Sequence, residues 1–472
     1  MEVNAIIWTM DFVTHLKKYL SDKEIDDLIA SFKEDEVKGL LLNINKMDKD
    51  KFLKMYPNLK VHPVIDYAFL YKKDEYNFGQ DILHELGAYY IQDPSAMLVS
   101  YFLNPKEDDL VFDMCAAPGG KSVGASLLMH KKGLLISNDN SYSRLNILLS
   151  NVERMGLTNV SIISNDFSKN GDKYIGLFDK IILDAPCSGS GMFRKLSEMK
   201  DDWTYNKVLK YALIQKELIL KAYDMLKEGG ELIYSTCSYS YEEDEEVIEY
   251  LLSNRDALLV DLEHFEGEYR SKKYKETIHL FSSRFTGEGH YIAKIKKPGE
   301  NKKTSLIKEK YEKSILSKGG NKEIMVFDRC LLPKDLSKYA IREGLFLGTK
   351  IKDKFIPSHA YAKSLFNDEN MFEVSLEDAS KIIKGEEINV NKNDGYYYPS
   401  YLGLSIGVLH YVNGRIKNLY PKGLRKNIIY KSSRWLGKPL RDELRILNSF
   451  YLYKYSLLFH HQNLNKLCSL SD

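Results

Sequence analysis

Between residues 86 and 295, short apolar runs alternate with longer stretches of helical periodicity, and this alternation limits the fold more than any other feature of the chain. Residues 110–112, 134–137, 160–163, 180–183, 232–234 and 290–295 read as strands, each too short for a helix. Residues 122–129, 143–155, 206–226 and 242–252 carry the apolar spacing of helices. Strand and helix in turn predict an α/β fold, a mainly parallel sheet with helices on both faces. Ligands of such sheets bind in the crevice at the carboxyl ends of the strands. The residues that follow each apolar run are therefore the candidates for chemistry.

After the first run comes Asp113-Met114-Cys115-Ala116-Ala117-Pro118-Gly119-Gly120-Lys121, which opens a helix. Paired glycines let backbone N–H groups approach a ligand closely at a helix N-terminus. The pattern is neither GxGxxG nor a Walker A loop, which disfavours a dinucleotide or a nucleoside triphosphate. Asp139 ends the second strand and suits a ribose hydroxyl pair; Asp166 follows the third strand, where it could take an adenine amino group. Asp184 ends the fourth. Each acid alone reads as a turn or cap residue. The ordered set fits a nucleoside without a pyrophosphate, such as S-adenosylmethionine.

Asp184-Ala185-Pro186-Cys187 sets a carboxylate and a thiol three residues apart, with a proline restricting the path between them. A second thiol, Cys237, ends the run at 232–234. A lone cysteine at a strand end is usually an inert core residue. Two of them beside Asp184 and Lys121 fit nucleophilic chemistry, because an electropositive neighbour favours the thiolate.

Composition removes other classes. The length of 472 residues allows two to four domains at about 150 residues each, and 44% hydrophobic with 28% charged residues is ordinary for a globular chain. No run approaches the ~18 apolar residues of a membrane span. The opening MEVNAIIWTMDF has an early Glu and no basic stretch, so no secretory signal is expected. Five cysteines, widely spaced and without a CxxC pair, argue against a disulfide framework and a zinc site, and suit a reducing cytoplasm. The net charge of +2 hides an asymmetry: residues 301–472 hold 30 Lys and Arg against 18 Asp and Glu, on an acidic remainder. A basic C-terminal part suggests an anionic partner held away from the chemistry.

The segments DMCAAPGGKS, LDAPCSGSGMFRK and YSTCSYS closely resemble the motifs of the Sun-type RNA cytosine-5 methyltransferases. GAYYIQDPSAM at 87–97 and GEGHYIAK at 287–294 resemble that family's flanking motifs. IREGLFLG at 341–348, FIPSHAYA at 355–362 and VNGRIKNLYPKGLR at 412–425 are similar to the bacterial small-subunit ribosomal RNA methyltransferase F branch. The resemblance implies an S-adenosyl-L-methionine cofactor held or bordered by Cys115 to Lys121, Asp139, Asp166 and Asp184. It implies Cys237 as nucleophile, Cys187 as the thiol that helps release the product, and Asp184 and Lys121 beside them. Ribosomal RNA or the small subunit is the expected partner; the rivals are the same reaction on transfer RNA and a catalytically idle RNA-binding ribosome-assembly factor, and a cytoplasmic monomer with neither metal nor membrane contact is expected. Two departures stand out. The family commonly has an Arg where this chain has Leu40-Leu41-Leu42-Asn43, and relatives often show Trp-Pro-His where Phe281-Ser282-Ser283 stands.

Outside the alternating region, residues 1–85 read as a small α+β unit that holds RNA, with helical spacing over 12–32, a strand at 39–45 and a helix at 48–54. The methyltransferase domain is expected at 86–298, followed by a Lys-rich boundary and units at 323–395 and 396–472. The resemblance makes the last unit a PUA-like RNA-binding module. Residues 413–441 carry nine basic residues and no acid, with Tyr420, Tyr430 and Trp435 between them. Arg415, Lys417, Lys422, Arg425 and Lys426 are the candidate phosphate contacts, and the aromatics can stack on unpaired bases. Glu242 to Glu246 reads as the acidic first turn of a helix. Cys330, Cys468, His359 and the His460-His461 pair are taken as structural.

Overall fold

A computed structural model describes residues 11–72, 74–196, 198–301, 312–318, 323–329, 332–352, 354–365 and 368–428. The N-terminal part contains α1 (11–16), α2 (Asp22–Ser31), β1 (Val37–Leu42), α3 (Lys49–Met55), β2 (Lys60–Val61), β3 (Ala68–Lys72), α4 (Ile82–Glu85) and β4 (Tyr89–Gln92). Its four strands form an antiparallel sheet in the order β2-β3-β1-β4, so the sheet takes its last strand from beyond residue 85. Ser21 and Glu24 cap each other's backbone at the start of α2. The helices α1 and α2 do not cover this sheet. Phe12, Leu16, Ile25, Leu28 and Phe32 pack instead on Phe193, Trp203, Tyr239 and Phe281 of the central body. The sheet is already covered, because Phe52, Phe69 and Tyr89 share a core with Ile382, Ile383, Leu409 and Ile416 from the C-terminal part.

The central body follows the expected alternation. Its elements are α5 (Pro94–Leu103), β5 (Leu110–Asp113), α6 (Gly120–Leu128), β6 (Leu134–Asn138), α7 (Tyr142–Met155), β7 (Val160–Ile163), α8 (Phe167–Asn170) and β8 (Phe178–Asp184). They continue with α9 (Glu198–Asp202), α10 (Tyr205–Met225), β9 (Leu226–Thr236), α11 (Glu245–Asn254), β10 (Leu258–Val260), β11 (Tyr269–Arg270), β12 (Ile278–Leu280) and β13 (His290–Lys296). Strands β7-β6-β5-β8-β9 are parallel and β13 joins β9 antiparallel. Successive side chains alternate between faces: Val111 lies in one core cluster with α5, α6 and α7, and Leu110 and Phe112 in another with α10 and α11. Each buried Leu, Ile or Phe of these layers contributes about 1.5–3 kcal/mol. The chain winds from β5 outward to β7 and then returns to β8 on the other side of β5. That reversal makes a switch point between β5 and β8.

The C-terminal part consists of β14 (Glu312–Lys318), β15 (Glu323–Arg329), α12 (Lys334–Ser337), β16 (Ala340–Arg342), β17 (Gly344–Ile351), β18 (Lys354–Pro357) and α13 (His359–Ser364). Then come β19 (Met371–Glu373), α14 (Leu376–Lys384), β20 (Gly395–Tyr401), β21 (Leu404–Ser405), β22 (Leu409–Val412) and β23 (Arg415–Asn418). β14-β15-β17-β18 form one sheet and β19-β20-β22-β23 another. β16 leaves its neighbours and pairs with β7 at the edge of the central sheet, where Arg342 donates to the carbonyls of Val160 and Leu157. Glu85 at the end of α4 ties the N-terminal part to the C-terminal part. Tyr420 donates to its carboxyl, Lys426 pairs with it at 2.5 Å, and Lys363 Nζ donates to its carbonyl at 2.8 Å. Among the described residues, no helix is long and apolar enough to cross a membrane.

Candidate active site

The strand ends at the switch point bring most of the expected residues together. β5 ends on Asp113, which is fully buried, accepts from Ser122 Oγ at 2.7 Å and is pushed up to about 7 by burial. The loop then turns at Gly119, whose φ of +114° suits glycine, and α6 starts without any side-chain cap on its first N–H groups. A Cβ on Gly120 would stand 2.8 Å from Gln92 Nε2, so a larger residue there would have to displace the end of the Gln92 side chain. Asp139 is buried behind the loop, accepting from the N–H of Ala117 at 3.3 Å and of Ser141 at 2.9 Å, and pairing with Arg144 at 3.3 Å. Arg144 also donates to the carbonyl of Ala117. Burial, with Asp113, Asp184 and Asp139 nearby, pushes the Cys115 thiol far up, which disfavours its thiolate.

Across the switch point, Lys121 Nζ meets Asp184 Oδ2 at 2.7 Å and Ser235 Oγ donates to Asp184 Oδ1 at 2.7 Å. His290 Nε2 lies 3.8 Å from the same carboxyl. Burial alone would raise Asp184, but Lys121 and His290 beside it hold it well below the ordinary carboxylate range. Burial likewise works against the charge of Lys121, and Asp184 more than restores it. The pair is therefore an ionised one.

The two thiols meet: Cys187 Sγ and Cys237 Sγ are 3.0 Å apart, both partly exposed. Their loops are joined by backbone bonds from Ala185 N–H to Ser235 O and from Gly191 N–H to Cys237 O, each 2.9 Å. The hydrogen bond with Cys237, then burial and the charges of Cys237 and Glu243, push the Cys187 thiol well above its ordinary range.

Glu242 to Glu246 departs from the sequence reading. α11 begins only at Glu245, and Glu242, Glu243, Asp244 and Glu245 are buried rather than forming a solvated first turn. Glu243 accepts from Ser188 and Ser238, Asp244 from Thr236, and Glu245 pairs with His279 at 2.7 Å. No local signal announces Ser188 or His279, which lie 55 and 34 residues away in sequence from their acids. Ser235 and His290 were missed as well, although both sit in the YSTCSYS and GEGHYIAK segments.

Asp166, expected at the adenine, follows β7. It caps α8, accepting from Ser168 N–H at 3.2 Å and Ser168 Oγ at 2.7 Å, and pairs with Lys169 at 2.9 Å. In the C-terminal part, Arg415, Lys417 and Lys422 are exposed. Arg425 lies against Gly385 and donates to the carbonyl of Tyr420, and Lys426 is engaged by Glu85. Tyr420 is 1% exposed and belongs to the core, which removes it as a stacking surface. Tyr430 and Trp435, with Cys330, Cys468 and the His460-His461 pair, lie outside the described residues.

An uncapped glycine start to α6, an acid held behind the loop and an ionised acid–lysine pair at the switch point fit a nucleoside carrying a charged sulfur. The fold and this cleft are those of an S-adenosylmethionine-dependent methyltransferase. Residues 100–296 match the family model of the 16S rRNA methyltransferase RsmB/F; residues 9–94 match the N-terminal domain of 16S rRNA methyltransferase RsmF, and 369–426 the methyltransferase RsmF PUA domain. The chain is 30% identical over 466 residues to the ribosomal RNA small subunit methyltransferase F of Shewanella piezotolerans, covering 89% of this chain and 98% of that one. It is 35% identical over 282 residues to the tRNA (cytosine(49)-C(5))-methyltransferase of Pyrococcus abyssi, covering 57% of this chain and 89% of that one. A solved methyltransferase homologue from Pyrococcus horikoshii is 29% identical and superposes with a TM-score of 0.54, over 61% of this chain and 94% of that one. The chain belongs to the ribosomal RNA small subunit methyltransferase F family and is an RNA methyltransferase.

Proposed function

We propose that this chain methylates carbon 5 of a cytosine in small-subunit ribosomal RNA, with Cys237 as the covalent nucleophile and Cys187 assisting its release. The reading rests on two sulfurs 3.0 Å apart beside an ionised carboxylate. Carbon 5 of cytosine is a poor nucleophile. Addition of a thiolate at carbon 6 turns the ring into an enamine whose carbon 5 can take up a methyl group. Asp184 accepts from the exocyclic amine, and from N3 once it gains a proton, stabilising the charge that develops on the ring. Lys121 keeps Asp184 ionised for this task. Water in the cleft then takes the carbon 5 proton, the electron pair of that C–H bond restores the double bond between carbons 5 and 6, and Cys237 leaves as the thiolate, to which the Cys187 thiol donates a hydrogen bond.

The turn at Gly119 and Gly120, the start of α6 and Asp139 would hold S-adenosylmethionine. When bound, it supplies an electrophilic methyl group. The target base must leave its stack to reach a cleft between strand ends, which gives separate RNA-holding parts a purpose. Exposed Arg415, Lys417 and Lys422 serve that end on the PUA-like part by neutralising phosphates.

Transfer RNA is the second reading, favoured by the Pyrococcus abyssi relative. Similarity that also spans residues 9–94 and 369–426 supports ribosomal RNA over it. The test incubates the protein with labelled S-adenosylmethionine and either small-subunit RNA or transfer RNA, and identifies the product nucleoside. Absence of 5-methylcytidine from both would sink the reaction. Its appearance only in transfer RNA would move the substrate.

A further inference from the structure

Glu243 takes no part in the chemistry above, yet both thiol loops end on it. Its Oε1 accepts from Ser188 N–H at 2.8 Å and from Gln215 Nε2 at 3.0 Å; its Oε2 accepts from Ser188 Oγ and, at 2.6 Å, from Ser238 Oγ. Ser188 follows Cys187 and Ser238 follows Cys237, so the residue after each thiol is tied to one carboxyl. Gln215 of α10 also donates to the carbonyl of Pro186 at 2.8 Å, so Cys187 is held from both sides. The Glu243 side chain is fully buried and the donors in these four bonds are neutral groups. Burial raises its carboxyl against the pull of those donors. A buried acid without a cation costs stability that an apolar side chain of the same size would not. What the acid gives in return is a fixed geometry between two irregular loops.

We propose that Glu243 is the positioning residue of the thiol pair, setting the approach of Cys187 to Cys237 without touching substrate or cofactor. The inference rests on the reading that this pair is catalytic. Glu243→Gln and Glu243→Ala separate the possibilities. The amide oxygen of Gln can take over from Oε1, and its NH₂ can donate to Ser188 and Ser238, whose hydroxyls rotate to accept. The full-length variants would be compared by thermal unfolding, by kcat and KM on small-subunit RNA, and by dibromobimane crosslinking of Cys187 to Cys237 mapped by mass spectrometry.

Glu243→Ala is expected to lose the crosslink and about 100-fold in kcat, the scale of a 1 Å misplacement, with KM for RNA unchanged. Glu243→Gln is expected to keep the crosslink and stay within about 10-fold of wild type. A folded Glu243→Ala that crosslinks like wild type overturns the proposal, whatever its kcat. Should Glu243→Ala not fold, Ser238→Ala removes only the tether of the Cys237 loop, and an unchanged crosslink and kcat there would equally overturn it. Crosslinking needs no RNA. A wild-type protein that crosslinks but methylates nothing counts against the function, while the variants still decide on Glu243.

Discussion

Lys121 Nζ stands 2.7 Å from Asp184 Oδ2, a single contact that ties the helix after β5 to the end of β8 across the switch point. The loop that ends on Lys121 and the acid proposed to bind the base are thus one electrostatic unit. Moving either element moves the other's charge.

Replacing Lys121 by Met tests that unit. In the wild type Asp184 has a depressed pKa and stays ionised throughout the neutral range, so it sets no acid limb there. Without the ammonium, burial dominates and raises the carboxyl. The acid limb of kcat/KM should move to higher pH, and kcat at pH 7 should fall about 10- to 100-fold. A pH–rate profile of Lys121→Met with the same acid limb as wild type would show that the lysine does not tune Asp184.

The two thiols should fail differently. With small-subunit RNA carrying 5-azacytidine, Cys237→Ala should form no covalent complex and Cys187→Ala should form one. On ordinary RNA, Cys187→Ala should accumulate the adduct, because the departing sulfur lacks its hydrogen-bond donor. Denaturing gels read both results. A complex lost only in Cys187→Ala would exchange the roles.

Gly191 and Gly289 let the loops close. A Cβ on Gly191 would lie 2.6 Å from Gly289 O and 2.9 Å from Cys237 O, all of it backbone that cannot yield cheaply. Gly191→Ala should therefore displace Cys237 and lower kcat by about 100-fold. Cofactor binding should survive, because the α6 loop lies elsewhere. Calorimetric titration beside steady-state rates would check both halves.

Lys363 gives the junction a pH dependence. It is 1% exposed, and burial together with Arg154 and Lys426, against the pull of Glu85, lowers it to about 8. Between that value and the ordinary one of about 10.4, the unfolded chain binds a proton that the folded chain does not, so stability from this group rises with pH. Below about pH 8 the buried charge is a cost. Lys363→Met removes the effect, and the gap between its melting temperature and that of wild type should change between pH 7 and 10. Parallel melting curves across that range would refute it.

The strands and helices of the central body were readable because burial on both faces leaves short, nearly continuous apolar runs, as at 160–163 and 180–183. The thiols, Lys121 and Asp184 were readable because strand ends of an α/β sheet converge. What was not readable depends on distance in sequence. Nothing near Glu243 announces Ser188 or Gln215, and nothing near Tyr420 announces Glu85, its partner 335 residues away. The basic tail looked like one surface for RNA. Folding divides it, turning Lys426 inward to an acid while Arg415 and Lys417 face outward. The helical spacing of 12–32 was correct as periodicity, but periodicity names no partner, and those helices found theirs on the central body.

The strand Ala340–Arg342 seals the edge of β7, whose residues are made nearly 180 positions earlier. During synthesis the methyltransferase sheet therefore leaves the ribosome with an open flank, an edge that templates wrong pairing until the later segment arrives. A fragment cut after residue 298 would carry every residue of the cleft and still lack this closing strand. Such a fragment should aggregate during folding, and a separately added peptide spanning 332–352 should rescue it.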